Sequence, residues 1–393
     1  MGTVTPSRPR RPQAGVSPTR RHPPRRWARV RRVALLASLL ALLAPLISYL
    51  GVLTQTSDSS LGIRSVEWMR DHGARGIVNE IENLYYTLNA PKTGGPALRT
   101  LPRQPGTRSA AQAPHTHVAI AYRPAPVRPV IHPALPGEGV WRSTFARHAR
   151  RPPVLVTSYR PDPNYPQLVA GVAWIDTRLT TTWLYPGRLE PAISLPSRGP
   201  MQVPTALRSR LVATFNSGFK LSDSGGGFAT GGHTYAPLKN GLATIVRYRD
   251  ARINITKWQG GPHASPNIIY ARQNLPLIID HHRLNPNLSD GPQWGATLGN
   301  AVRVWRSGLG IDQHGNLIYT AANDQTVGSL AEILRRAGAV RAMELDINTY
   351  WTSFISYRHP DGSAAANLLA DMDRSPLRYL TPDDRDFFAV YLR

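Results

Sequence analysis

Glu344 and Asp346 stand two residues apart at the end of a short apolar run, Val340–Asp346. Side chains along a strand alternate between faces, so both carboxyls fall on one side. Paired carboxylates are what acid–base and glycosyl-transfer chemistry requires. The same spacing also fits two strand-end acids bonded to nearby loop amides. Arg306 closes another strand-like run, and its planar fork suits two oxygens of one phosphate; an ordinary surface arginine fits as well. Asn216, Gly218 and Lys220 follow a third run. Asn216 is of the type that bonds a sugar hydroxyl or a phosphate, or that caps a turn, and Lys220 adds a positive charge. Lys220 and Lys239 are two of only four lysines in the chain. Asn348, Tyr350 and Trp351 come shortly after Asp346 and complete the set of candidate substrate contacts. An aromatic face stacks on a sugar ring or packs into a core with equal ease.

Other chemistries find little support. The chain has no cysteine, which excludes disulfides, thiol nucleophiles and cysteine-ligated zinc. His281 and His282 are adjacent and on a strand would point to opposite faces. With His233 and His263 they form no recognised metal-ligand spacing. No cofactor is expected, and an oxygen-ligated calcium ion stays open. Gly225-Gly226-Gly227 lacks the lysine of a phosphate-binding loop, and no nucleophile-elbow serine motif occurs.

From Trp141 onward, short β-branched and apolar runs alternate with turn residues. Strands are predicted over 154–159, 168–175, 180–185, 211–215, 241–248, 252–258, 275–279, 301–305, 316–321 and 340–346. Hairpin turns are predicted at 247–252 and 312–316. Helices are predicted near 205–210 and over 329–337, the second ending at Gly338. The mixture reads as an α+β domain, residues 141–393, built on a largely antiparallel mixed sheet with a few helices.

Most of the net charge of +23 sits in two segments. Residues 1–32 carry ten arginines and no acid; residues 91–160 carry ten arginines, Lys92 and a single acid, Glu138. Residues 161–393 keep only about +5 and are nearly balanced, so no nucleic-acid partner is expected. Residues 33–53 are uncharged and long enough to span a bilayer as one helix. The preceding arginines place the N-terminus in the cytoplasm and the rest outside. A cleavable signal peptide would have a shorter apolar region and a small-residue cleavage site. Residues 54–90 are predicted to hold a helix, Leu61–Leu88, weakened by Gly73 and Gly76. Residues 91–140, rich in proline and arginine, read as a stalk.

Four stretches within about 152–393 resemble the phosphodiester glycosidase domain family, which includes an enzyme removing N-acetylglucosamine from a phosphodiester on lysosomal glycans. They are Ala213 to Lys220, Pro237 to Gly241, Arg306 to Asp312, and Ser329 to Asp346. Two departures reshape the site. Asn216-Ser217-Gly218 stands where the family has Asn-Gly-Gly, and Ile347 to Thr352 replaces a glycine-rich loop. The resemblance implies hydrolysis of a sugar–phosphate diester through an oxocarbenium-like transition state. Arg306 and Lys220 would hold phosphate, Asp346 with Glu344 would supply the carboxylates, and Asn216 would orient the sugar.

The expectation is therefore a single-pass, extracytoplasmic hydrolase acting on a sugar-phosphate or an envelope polysaccharide. The alternative is a non-catalytic envelope glycopolymer-binding or assembly protein on the same fold. A further, separate reading has the basic tail attach to anionic lipid at the inner leaflet. The hydrolase reading requires Arg306 and Asp346 to line one cleft.

Overall fold

The computed structural model describes residues 2, 25–107, 122–144, 151–295, 303–358 and 364–393. Residues 3–24, most of the basic tail, lie outside them. The chain divides into two units, Met1–Gln55 and Thr56–Arg393. The first is one helix, α1 (Arg25–Thr54). Its stretch Trp27–Thr54 has a mean hydropathy of 2.3 in its most apolar window, and by length and composition it is able to cross a membrane. The helix starts earlier than the predicted span and takes in the last arginines of the tail.

In the second unit, the helix expected over Leu61–Leu88 is two: α2 (Leu61–Met69) and α3 (Arg75–Leu88). They are separated at Arg70–Ala74, where Gly73 takes φ +89°. Only glycine adopts that backbone readily, which is why the helical period fails there. Ser60 caps α2 by accepting from the Ile63 amide.

Parts of the segment read as a stalk pack against the domain. Gly94 N donates to Asn164 O (2.8 Å), Val127 is buried, and Glu138 forms a buried pair with Arg160 (2.9 Å). A buried charge with its partner beside it outweighs the extended preference of the prolines around it. The expectation of a free-standing spacer is corrected accordingly.

The strands follow in chain order: β1 (Arg142–Ser143), β2 (Val154–Tyr159), β3 (Ala170–Ile175), β4 (Thr180–Tyr185), β5 (Leu211–Asn216), β6 (Phe228–Thr230), β7 (His233–Ala236), β8 (Ala243–Tyr248), β9 (Ile253–Lys257), β10 (Ile268–Gln273), β11 (Leu277–Asp280), β12 (Arg283–Leu284), β13 (Val304–Ile311), β14 (Leu317–Gln325), β15 (Arg341–Ile347), β16 (Phe354–Tyr357), β17 (Ala365–Asn367) and β18 (Phe387–Leu392). A short helix, α4 (Leu221–Ser224), follows β5, and α5 (Val327–Arg336) lies between β14 and β15. Every strand pair is antiparallel among the described residues. Three sheets result, in the orders β1-β2-β3-β14-β13-β15-β11-β12, β7-β6-β10-β8-β9 and β17-β16-β5-β18-β4. The α+β expectation holds.

The long sheet is buried on both faces. Leu309, Tyr319, Met343 and Leu345 face a core shared with Phe215, Phe354, Phe388 and Ile245 of the other sheets. Ile318, Ala322 and Ala342 face α5, whose Leu330, Ile333 and Leu334 cover them. Thr326 and Ser329 cap α5 reciprocally. Gly308 and Gly310 lie under this helix and allow its close approach: a Cβ on Gly308 would stand 2.8 Å from Leu334 Cδ1, and one on Gly310 would stand 2.7 Å from Ala339 Cβ.

The Gly308→Ala variant is expected to unfold at lower urea, by about 1–3 kcal/mol, because the added methyl has no room. Circular dichroism during urea titration measures this.

Candidate functional site

The strand β15 carries both candidate carboxyls, and the structure gives each its own guanidinium. Glu344 Oε1 accepts from Arg306 Nη1 at 2.5 Å, with both side chains fully buried. Arg306 also donates through Nε to the Gln325 carbonyl (2.8 Å) and through Nη1 to the Trp294 carbonyl (3.4 Å). It sits two residues before Gly308 in β13, an interior position and not an open cleft. Asp346 Oδ2 accepts from Arg385 Nη2 at 2.5 Å, and Asp346 Oδ1 accepts from the Ile347 amide at 2.9 Å. The cleft that the hydrolase reading required between Arg306 and Asp346 does not form, so that reading falls in its sequence-based form, with Arg306 as the phosphate-binding group. Arg385 takes the place beside Asp346, and Arg306 belongs to the interior pair with Glu344.

Arg385 lies in Asp383-Asp384-Arg385-Asp386, directly before β18. Each of these four residues finds a different partner. Asp383 takes a two-pronged contact from Arg378 (2.5 and 3.0 Å). Asp384 accepts from Ser57 and Ser59 hydroxyls (2.5 and 2.7 Å) and from Arg188 (3.2 Å). Asp386 pairs with Arg272 at 2.8 Å, and Arg272 also donates to the Phe219 carbonyl. Sequence reasoning missed this network. Its signal was four consecutive charges, three of them acids in an acid-poor chain, abutting the apolar run Phe387–Leu392.

The remaining candidates divide. Asn216 is fully engaged in the interior: its amide donates to Ser217 O (2.8 Å) and Ser307 Oγ (3.0 Å), and its carbonyl accepts from Tyr319 Oη (2.8 Å) and the Ser353 amide (3.0 Å). Gly218 makes room for Asn274, whose Cγ would lie 2.9 Å from a Cβ there. Asn274 in turn donates to the Glu344 and Leu345 carbonyls (2.7 and 3.0 Å). Asn348, at φ +83°, shapes the turn after β15 by accepting from the Tyr350 amide (2.9 Å). Tyr350 and Trp351 lie under arginines: Arg374 stacks on Tyr350 at 4.2 Å, and Arg385 on Trp351 at 4.6 Å. Lys239 is exposed, and its backbone is held by Gln273.

Lys220 reaches the network from the start of α4, and there it meets carboxylates of the covering segment. It pairs with Glu67 of α2 and, at 3.4 Å, with Asp71. The same segment supplies Asp58, which pairs with Arg374 and accepts from the Asp384 amide at 2.8 Å. Tyr350 Oη accepts from the Ser60 amide at 3.2 Å and donates to the Asp58 carbonyl at 3.3 Å. Residues 57–71 therefore lie across the outer side of the polar network.

Electrostatics follow burial. Desolvation pushes the Glu344 carboxyl up to about 7 despite Arg306, with Asp346 adding to the rise. Burial also raises Asp346, against the pull of Arg385, and raises Glu190, whose charge is felt by Arg385. Burial would raise Glu67 too, but Lys220 and then Arg385 outweigh it and hold Glu67 below its ordinary value. Asp58 is pushed up to about 7 by burial and by Asp383 and Asp384. Among the described residues, Ser217 Oγ, Asn274 Oδ1 and Glu344 Oε2 are buried without a hydrogen-bond partner. No group of three or more acids or histidines among the described residues is placed to hold a metal ion. Two depressions, about 490 Å³ beside Arg178, Arg252 and His314 and about 270 Å³ beside His281, His282 and Arg341, share no residue with this network.

No family model and no curated protein matches the chain in sequence. Among solved structures, the catalytic domain of zebrafish N-acetylglucosamine-1-phosphodiester alpha-N-acetylglucosaminidase, auto-inhibited by its pro-peptide, is similar at 13% identity and TM-score 0.40, over 63% of this chain and 86% of that one. A hypothetical protein from Synechocystis is similar at 14% identity and TM-score 0.33, over 62% of this chain and 65% of that one. Both likenesses are distant.

Two measurements check the interior pair. Arg306→Met strands the Glu344 carboxyl and is expected to destabilise the domain by about 3–5 kcal/mol. The folded Glu344 carboxyl titrates near 7 against an ordinary 4.5, so the folded state holds a proton that the unfolded state has lost. Its contribution is fully present below that ordinary value and is lost as pH rises toward 7. Thermal unfolding from pH 4 to 8 should show a falling stability slope there, which Glu344→Gln flattens.

Proposed function

We propose that the chain is a membrane-anchored extracytoplasmic hydrolase acting on a sugar–phosphate diester of an envelope glycan or glycolipid, with its centre at Asp346. One observation carries the reading. A carboxylate from the covering segment, Glu67, sits against Lys220 and within the field of Arg385, beside the buried Asp346. Two cations that accept an anion from outside the strand framework, next to a desolvated acid, make an arrangement suited to a phosphate ester.

In this reading Glu67 occupies the position that the phosphate of a substrate takes. Lys220 and Arg385, not Arg306, hold that phosphate. In the reaction the bond between the anomeric carbon and the phosphate oxygen breaks, the phosphate monoester leaves with the electron pair, and water supplies the new oxygen and releases a proton. Asp346 steadies the positive sugar or takes the water's proton. Glu190, near Arg385 and raised by burial, is the second carboxyl of the site. Ser217 Oγ and Asn274 Oδ1 are among the buried polar atoms without a hydrogen-bond partner among the described residues. The long apolar α1 supports the membrane anchor.

A second reading, a non-catalytic binder of envelope glycopolymer, draws on the loop after Asp346. There Trp351 is buried and Tyr350 is taken up by Arg374 and the covering segment.

A chromogenic N-acetylglucosaminyl phosphodiester given to the full chain separates the two. Asp346→Asn is expected to lower kcat by about 10²–10⁴-fold, the usual weight of a positioned acid or base. Glu67→Ala is expected to lower KM by clearing Lys220. Release at equal rates from wild type and Asp346→Asn, or none from either with polysaccharide still retained, leaves the binder. Because burial raises Asp346, the rate should fall on the acid side at a pH above the ordinary aspartate range. A pH–rate profile reads this limb.

A further inference from the structure

The helix α3 is amphipathic, and it is seated the wrong way round for a soluble protein. Its packed side carries Val78, Glu82 and Tyr86. Glu82 pairs with Arg70 at 2.5 Å, Arg75 pairs with Asp223 at 2.9 Å, and Tyr86 joins the cluster of Phe219, Val304 and Ile347. Its free side carries Ile77, Ile81, Leu84, Tyr85 and Leu88, each between 60% and 75% exposed. A helix on a globular domain normally turns such a stripe inward. An unbroken apolar row of this kind on a surface marks a contact that the isolated chain does not satisfy.

We infer that the Ile77–Leu88 face of α3 rests in the head-group region of the bilayer crossed by α1. The inference depends on the membrane-anchor reading given above. Gln55–Ser60 is all that separates α1 from α2, and six residues reach at most about 20 Å when fully extended. The nine residues of α2 add about 13 Å. An apolar phase therefore always stands within a short tether of the stripe. The stripe covers about 100° of the helix because Tyr85 widens it, which suits a flat apolar boundary better than the narrow seam of a two-helix contact. Glu80 and Thr87 border it at the waterline, and exposed Lys92 follows within one turn's length of the helix end, where anionic head groups would lie.

The absence of cysteine makes the test clean. Full-length chain is reconstituted in vesicles of three parts phosphatidylcholine to one part phosphatidylglycerol. A spin label is placed singly at Ile81→Cys, Leu84→Cys, Glu80→Cys or Thr87→Cys, with Leu40→Cys reporting on α1. Collision rates with oxygen and with a water-soluble nickel chelate give the depth. The expected result is oxygen preference at positions 81 and 84, at a depth of about 5–10 Å, nickel preference at 80 and 87, and a deep label at 40. A deep label at 40 with nickel preference at 81 and 84 overturns the inference and leaves the anchor standing. So does dipolar broadening at 81 and 84 that vanishes on dilution with unlabelled chain, which would make a second copy the occupant. A label at 40 in water overturns the anchor, and the inference with it.

Discussion

A charge withdrawn from water must meet an opposite charge or be neutralised by gaining or losing a proton, and this constraint organises the whole polar end of the domain. Strand β15 brings in two carboxyls, and each is met by an arginine from a different part of the chain: Arg306 of the neighbouring strand for Glu344, and Arg385 of the loop before β18 for Asp346. Arg272 with Asp386 and Arg378 with Asp383 repeat the arrangement in the same loop. Two of these pairs run between sheets: Arg385–Asp346 ties the start of β18 to the long sheet, and Arg272–Asp386 ties it to the sheet of β10.

The covering segment extends the same rule outward. Asp58, Glu67 and Asp71 face Arg374 and Lys220, so charge and hydrogen bonds hold residues 57–71 at these points. Such contacts weaken with salt and with protonation more readily than a packed core does. Asp58, raised to about 7, is the most responsive of them. The polar network is thus closed by a part of the chain whose hold is electrostatic and adjustable.

Much of the fold was legible before the structure. Strands β2 and β4 match their predicted bounds, and the hairpin between β8 and β9 falls at its predicted turn. Alternation and turn residues act locally, so local reading recovers them. Phe387–Leu392 escaped because a strand buried on both faces shows no alternation. The site was harder. Glu344 and Asp346 do share β15, but which arginine reaches which acid depends on strands far apart in sequence. Asn216 looked like a ligand group because its four hydrogen-bond partners come from residues up to 137 positions away. The run 383–386 drew no reading at all, and only tertiary packing reveals that each of its members is buried and matched.

The position of β18 has a consequence for how the molecule comes into being. It is the last strand along the chain, yet it lies between β4 and β5. Until it arrives, a growing polypeptide holds two unpaired edges facing an empty slot, and Arg385 and Asp386 are missing from the acids and arginine they neutralise. The domain cannot close piecemeal as the ribosome delivers it. Closure of that sheet waits for residues 383–392, and before they are placed the chain presents sheet edges that invite association with other chains.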